Sequence, residues 1–281
     1  MAGLREEPLL FSDLALSRRL ERAEAESNAR FVEARARLFP TTGACWIEVA
    51  GAYAMYDRPT SPVTQTFGLG LFETATRADM DRLEEFFQQR GAPVCHEISP
   101  LMEGGLLTLL HERGYQPIEF TSVMFRPISS DLRLTASLNE KIQIRLAREN
   151  EHELWGRTAA KGWSELAELA DFLQEIGTVS ARTENAHSFL AELDGKPIAT
   201  GVLHLHQGVA LLAGASTIPE GRKQGAQLAL LEGRLRYAAE RGCDLAMMGA
   251  APGSSSQHNA ERHGFRIAYT RIKWRLARPA D

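Results

Sequence analysis

The chain has few cysteines: only Cys45, Cys95 and Cys243, far apart, in apolar surroundings and with no CxxC spacing. That excludes a disulfide framework or a cysteine zinc site and reads as three buried thiols. It has no run of 18 apolar residues that would cross a membrane as a helix. The opening "MAGLREEPLL" lacks the basic-then-apolar order of a secretory signal. The expectation is a cytoplasmic protein with no membrane partner. Charge of one sign is not in excess, since 32 basic residues stand against 36 acidic ones. A nucleic-acid partner is not expected either, because that binding needs a concentrated basic surface. Both the Gly-Lys-Ser/Thr phosphate loop and the GxGxxG fingerprint are missing. His204 and His206 alternate along a strand-like run without an evident third ligand, so no metal is expected.

What is present begins with an internal repeat. At 281 residues and 44% apolar content, the chain is long enough for two ordinary domains. The segment "ERGYQPIEFTSVMFR", 112–126, lies on "RHGFRIAYTRIKWR", 262–275. Gly114 matches Gly264, Phe120-Thr121 matches Tyr269-Thr270, and Phe125-Arg126 matches Trp274-Arg275. Upstream, Arg90-Gly91 matches Arg241-Gly242, each closing an amphipathic pattern before a short apolar run. Agreement at one offset of about 150 residues points to duplication of a whole domain, not to a solenoid. The competing account is that helix-Gly-strand junctions look alike everywhere, Gly being usual just past a helix.

The boundary is expected in the polar stretch 126–141, giving units 1–130 and 131–281. In the second unit "IQIRLA" reads as a strand and 149–181 as helical. Residues 187–205 read as a hairpin turning on Asp194-Gly195. "VALLAGAST" and "CDLAMMGA" read as strands on either side of a helix. Ser254 and Gln257 have capping-box spacing before a short helix ended by Gly264. In the first unit a long helix over 12–38 leads to strands near 45–49, 53–56 and 64–71. A helix over 78–89, the strand "PVCHEIS", a helix near 106–112 and a last strand follow.

One junction carries chemistry: "TIPEGRKQGAQLALLEGRLRYAAERG", 217–242, passes from a strand through a basic glycine turn into a helix. The first turn of a helix leaves N–H groups unpaired, and its dipole favours negative charge. Gly225 lets the backbone approach an oxyanion closely, and Arg222 and Lys223 add positive charge. The turn suits a phosphate; a basic loop that only starts a helix has the same look. Leu228, Leu231, Leu235 and Ala238 mark the expected buried face of that helix.

The strand, "PEGRKQGAQ" and the helix together resemble the acetyl-CoA loop of the GNAT N-acetyltransferase superfamily. Arg222 and Gly225 match its Gln/Arg-x-x-Gly-x-Gly/Ala pattern, while Gln227 stands where Gly or Ala is usual. The resemblance follows the order of elements over 142–276, including "DGKPIATG" and "NAERHGF". It implies an α/β (α+β) fold of two tandem GNAT-like domains, each a mixed, largely antiparallel twisted sheet flanked by helices. The fourth and fifth strands would splay to admit acetyl-CoA as co-substrate. The loop from Arg222 on, with backbone amides around Lys223, Gly225, Ala226, Gln227 and Leu228, would hold the pyrophosphate. Ala215, Ser216, Thr217 and Ile218 would pair with pantetheine and polarise the thioester carbonyl. Asn259 resembles a pantetheine contact; a helix residue bonded to local backbone is the other reading.

The resemblance leaves acid and base open. Many relatives carry a tyrosine four residues before the Gly-Phe pair, where this chain has Ala260. Tyr269, Ser255 and Ser256 remain as acids, although a strand tyrosine is more often packed with its hydroxyl satisfied. A carboxylate or a water chain would serve as base. Glu165 lies where relatives bind the acceptor, and Glu168, Asp171 and Glu175 share roughly one helix face with it, as a cation-attracting or merely solvated surface. In the first unit, "GLGLFETATRADMDRLEEFF" lacks the motif, and Glu73 and Asp79 compete with a phosphate for the helix dipole. That unit is expected to be GNAT-like and empty of CoA, shaping the acceptor pocket or supporting its neighbour. The expected activity is N-acetylation, in the second unit, of a primary amine on a small molecule or peptide, by direct attack in a ternary complex. A non-catalytic acyl-CoA sensor, and an acyl or aminoacyl transferase with another donor, are the alternatives.

Overall fold

The computed structural model describes residues 11–129, 139–163 and 170–277, apart from the side chains of 170–173; most of the expected boundary lies outside them. The first half contributes α1 (Leu14–Leu38), β1 (Cys45–Val49), β2 (Ala52–Tyr56), β3 (Gln65–Phe67), α2 (Arg77–Gln88), β4 (Cys95–Ile98), α3 (Gly105–Glu112) and β5 (Tyr115–Pro127). The second contributes β6 (Ile142–Leu146), α4 (His152–Gly162), α5 (Ala170–Ala181), β7 (Ala186–Leu193), β8 (Lys196–His206), β9 (Val209–Thr217), α6 (Ala226–Glu240), β10 (Leu245–Ala250), α7 (Ser255–Arg262) and β11 (Arg266–Leu276). Local chemistry sets many of these limits. Asp13 caps α1 by accepting from Leu16 N at 2.8 Å, and Asp194-Gly195 turns the β7–β8 hairpin at φ +51° and +73°. β3 stops short of the expected strand because Gly68 and Gly70 turn the chain at φ +81° and +74°.

All the described strands lie in one sheet, ordered β1-β2-β3-β4-β11-β5-β10-β9-β8-β7-β6. The halves exchange their last strands. β5 pairs antiparallel with β10 of the second half, β11 pairs antiparallel with β4 of the first, and β5 and β11 pair with each other. The register carries the duplication: laying Thr121 on Thr270 converts the pair Ser122–Thr270 into Thr121–Arg271, and both pairs exist. A pseudo-twofold axis therefore crosses the middle of the sheet. It turns the parallel pair β3–β4 to run opposite to the parallel pair β9–β10. The carboxyl ends of β9 and β10 reach one edge of the sheet, and those of β3 and β4 reach the other.

Alternate strand residues feed two faces. On one, α1 crosses the join, packing Leu16 and Leu20 against Val123, Phe125 and Met247, and Phe31 and Val32 against Met55 and Phe67. The second half adds Trp155 of α4 and Ala181 of α5 against Leu190 and Val202. The opposite face is covered by α2 and α3 in the first half and by α6 and α7 in the second. No helix among the described residues is long and apolar enough to cross a membrane.

Beneath α1 three carboxylates surround one buried guanidinium. Arg271 of β11 donates to Glu97 of β4 at 3.0 Å and to Glu24 at 2.8 Å, and meets Glu21 at 3.3 Å. Burial, the largest effect, raises the Glu21 pKa to about 7 despite the attraction of Arg271. Farther along α1, buried Arg35 meets Asp57 at 2.5 Å, and Arg35 and Arg58 both pair with Glu175 of α5.

The folded chain thus binds a proton at Glu21 more readily than the unfolded chain. The stability that this proton adds is complete below about pH 4.5 and is lost as pH rises through about 7. Urea unfolding across that window should show wild-type stability falling by up to about 3 kcal/mol more than that of Glu21→Gln.

Candidate functional site

β9 and β10 pair only where Val209, Ala210 and Leu211 face Leu245, Ala246 and Met247. Beyond that, β9 follows β8 to Thr217 while β10 follows β5 to Ala250. The two parallel strands splay, and the gap opens toward their carboxyl ends, the usual entry point for ligands in open α/β sheets.

A bulge shapes one wall of the gap. Thr200 faces Ser216 and Val202 faces Ala213, so Gly201 alone spans Gly214 and Ala215. Gly214 makes the bend at φ +57°. Arg234 of α6 stitches it, donating to Val202 O at 3.1 Å, Ala213 O at 3.3 Å and Leu230 O at 3.2 Å. This guanidinium is buried with no ion pair among the described residues, and burial lowers its pKa to about 10. A Cβ at Gly201 would lie 3.0 Å from it.

The basic turn leads from the end of β9 into α6. Lys223 and Gly225 take φ +61° and +90°, and α6 then begins without a side-chain cap. Among the described residues, the backbone N–H groups of 223–228 reach no acceptor, which leaves a row of donors at the positive end of the α6 dipole. Among the described residues, a Cβ at Gly225 would have only Asn139 Cβ within 4 Å, at 3.9 Å, so none of them fills the cradle. Asn139 steadies the turn by donating to Gln224 O at 3.1 Å, and Lys161 of α4 meets Glu220 at 3.1 Å. Gln227 turns its side-chain amide onto Thr217 Oγ1 at 2.7 Å, leaving its backbone N–H free.

The equivalent place in the first half is closed. Thr76 and Asp79 form a reciprocal capping box at the start of α2, and these hydrogen bonds lower the Asp79 pKa. The strand gap is filled as well: a Cβ at Gly70 would meet Leu106 at 2.8 Å and Met102 at 3.3 Å.

The expected residues distribute as follows. Ala215 is exposed on the bulge, and Ser216 is buried with its Oγ 3.1 Å from Ala159 O and 3.0 Å from Thr200 Oγ1, so it offers only backbone. Ile218 is not free to pair, because its N–H donates to Ile198 O at 2.9 Å. Arg222, Lys223 and Gln227 are exposed, Leu228 is half-buried and Ala226 is packed inward. Asn259 is exposed on α7, as are Ser255 and Ser256 at its start beyond β10. Tyr269 does not face the gap: it lies on β11, two strands from β10, and points under α1, its hydroxyl donating to Glu21 at 2.9 Å. Burial raises its pKa well above the usual value. Glu165 and Glu168 lie outside the described residues, as does the Asp171 side chain; Glu175 is held by Arg35 and Arg58 and is not offered to a cation.

Other expectations shift too. The buried stripe of α6 runs through Ala226, Leu230, Arg234, Leu235 and Ala238, leaving Leu228 and Leu231 half-buried. Its polar member, Arg234, hid that face from the apolar periodicity. Cys95 and Cys243 are buried, Cys45 is half-buried, and all three are free thiols. His204 and His206 belong to no cluster of metal-ligating side chains among the described residues. Sequence reading missed Arg234, Gly201 and Asn139, none of which stands in a local pattern.

Residues 130–254 match the family described as Acetyltransferase (GNAT) domain. A search of curated proteins finds no match. Solved structures share the fold over most of the chain. A GCN5-related N-acetyltransferase from Kribbella flavida has a TM-score of 0.62 at 17% identity, covering 90% of this chain and 96% of that one. A second from Sphaerobacter thermophilus has a TM-score of 0.54 at 18% identity, covering 82% and 78%. A tandem GNAT protein from the clavulanic acid biosynthesis pathway has a TM-score of 0.53 at 12% identity, covering 91% and 96%. At these identities the likeness is one of fold.

Arg234→Met should strip the bulge carbonyls of their donor and lower stability by about 1–3 kcal/mol, measured by urea unfolding. Arg236→Met, at an exposed position on the same helix, should change it by less than about 0.5 kcal/mol.

Proposed function

We propose that this chain, whose residues 130–254 match the acetyltransferase (GNAT) domain family, moves an acetyl group from acetyl-CoA to a primary amine in its second half. The observation that carries this reading is the contrast between two equivalent helix starts: α6 is open and uncapped beside splayed strands, whereas α2 is sealed. Backbone N–H groups at Gly225, Ala226, Gln227 and Leu228, with Arg222 and Lys223 beside them, suit a pyrophosphate, and the clear space at Gly225 admits it. The splayed edge of β9 at Ala215, Ser216 and Thr217 suits an extended pantetheine, and Asn259 suits its flank. The co-substrate supplies an activated thioester; the protein positions it and orients an amine of a small molecule or peptide for direct attack in a ternary complex.

With Tyr269 committed to Glu21 and Ser254 capping α7, the exposed hydroxyls just beyond the end of β10 are those of Ser255 and Ser256, which we assign as candidate acids. Glu165, between α4 and α5, is the proposed base. The commitment of Tyr269 also favours a second reading, a non-catalytic acyl-CoA sensor. We further propose a cytoplasmic location.

Acetyl-CoA at about 100 times its dissociation constant should stabilise the fold by roughly 2.7 kcal/mol, visible as a rise in Tm. Gly225→Glu, which sets a carboxylate at the α6 start, should abolish the rise relative to its own ligand-free Tm. No rise in the wild type at millimolar acetyl-CoA would overturn both readings. Thiol release with a panel of amines then separates enzyme from sensor.

A further inference from the structure

The pseudo-twofold axis assigns the cleft a counterpart in the first half, at the carboxyl ends of β3 and β4. Beside it lies a cavity of about 370 Å³ between α1, Phe72 and the β8–β9 turn. Its wall is cationic: Arg18, Arg19 and Arg22 line it together with His206. Arg19 is matched by Asp244 at 2.5 Å. Arg18 and Arg22 have no carboxylate partner among the described residues. Arg18 Nε donates to Leu71 O at 2.6 Å and Arg22 to Gly51 O at 2.8 Å. These carbonyls fix each guanidinium without cancelling its charge, and each keeps further N–H groups to donate.

Rings add to the fixation. The Arg22 guanidinium carbon lies 4.5 Å from the Tyr53 ring centroid and 4.0 Å from that of Phe72. His206 Nε2 is buried and has no hydrogen-bond partner among the described residues. Gln207, also in the lining, takes φ +44°, an uncommon backbone for a residue with a side chain. Cations held in one place by neutral groups repel each other until an anion joins them, and preorganised guanidinium groups suit phosphate and carboxylate geometry. The volume falls among those of small-molecule sites.

We propose that this cavity binds a small dianion, a phosphate ester or a dicarboxylate, in the half whose CoA loop is sealed. The ligand would touch α1 and Phe72 of the first half and His206 and Gln207 of the second, joining the halves at the edge opposite the cleft. The inference stands apart from acyl transfer.

The test uses the full chain carrying Gly225→Glu, so that no anion is read at the α6 turn. Inorganic phosphate and malonate are titrated at constant ionic strength, followed by thermal unfolding and calorimetry. Saturable binding of either is expected; phosphate alone assigns a phosphate ester and malonate alone a dicarboxylate. Gln207→Glu, an exposed change outside α1, should weaken binding by about tenfold or more through one added like charge at the rim. Arg18→Gln with Arg22→Gln should abolish it, with far-ultraviolet circular dichroism confirming the fold, while Arg236→Gln should leave it unchanged. No saturable response to either anion, or equal affinity in Gln207→Glu and its parent, overturns the proposal.

Discussion

In the middle of the sheet β5 and β11 run antiparallel, one from each half, and every larger feature follows from that pairing. Each strand leaves its own half to lie against the other, so β10, one wall of the candidate cleft, is supported by β5 of the first half. Gly249 of β10 stands opposite Val123, and a Cβ there would come within 3.2 Å of Thr121. The first half therefore helps to build the cleft of the second. The same exchange brings Arg271 next to Glu97 and under α1, where Glu21 and Glu24 complete a cluster drawn from both halves. Removing Arg271 would leave buried carboxylates unmatched, which costs more than the pairing gains.

The two halves share a strand register and differ at the helix start. An uncapped helix N-terminus beside splayed strands is an unsatisfied donor set that a ligand can complete. A capping box satisfies the same groups from within the chain. Thr76 and Asp79 do this in α2, and Leu106 and Met102 close the strand gap. Ligand chemistry at that edge then rests on side chains, the arginines of α1, and not on backbone N–H groups.

Much of the fold was legible. The hairpin at Asp194-Gly195, the helix over 12–38 and the repeat across 112–126 and 262–275 all rest on signals between near neighbours in sequence. The turn at Gly225 was legible for the same reason. Gln227, the departure from the motif, proved compatible with a free backbone N–H because its side chain reaches Thr217. The commitment of Tyr269 was not legible, because its partner, Glu21, lies far away in sequence on α1.

By itself, the sequence determined the elements, their order, the duplication and which helix start is basic. Those depend on periodicity, turn chemistry and caps, which act over a few residues. The tertiary structure alone decided which strand neighbours which, which glycine turn stays open, and which charged groups are buried together. The strand exchange, the Arg234 stitch and the α1 cavity all join residues remote in the chain, and no local pattern records such contacts.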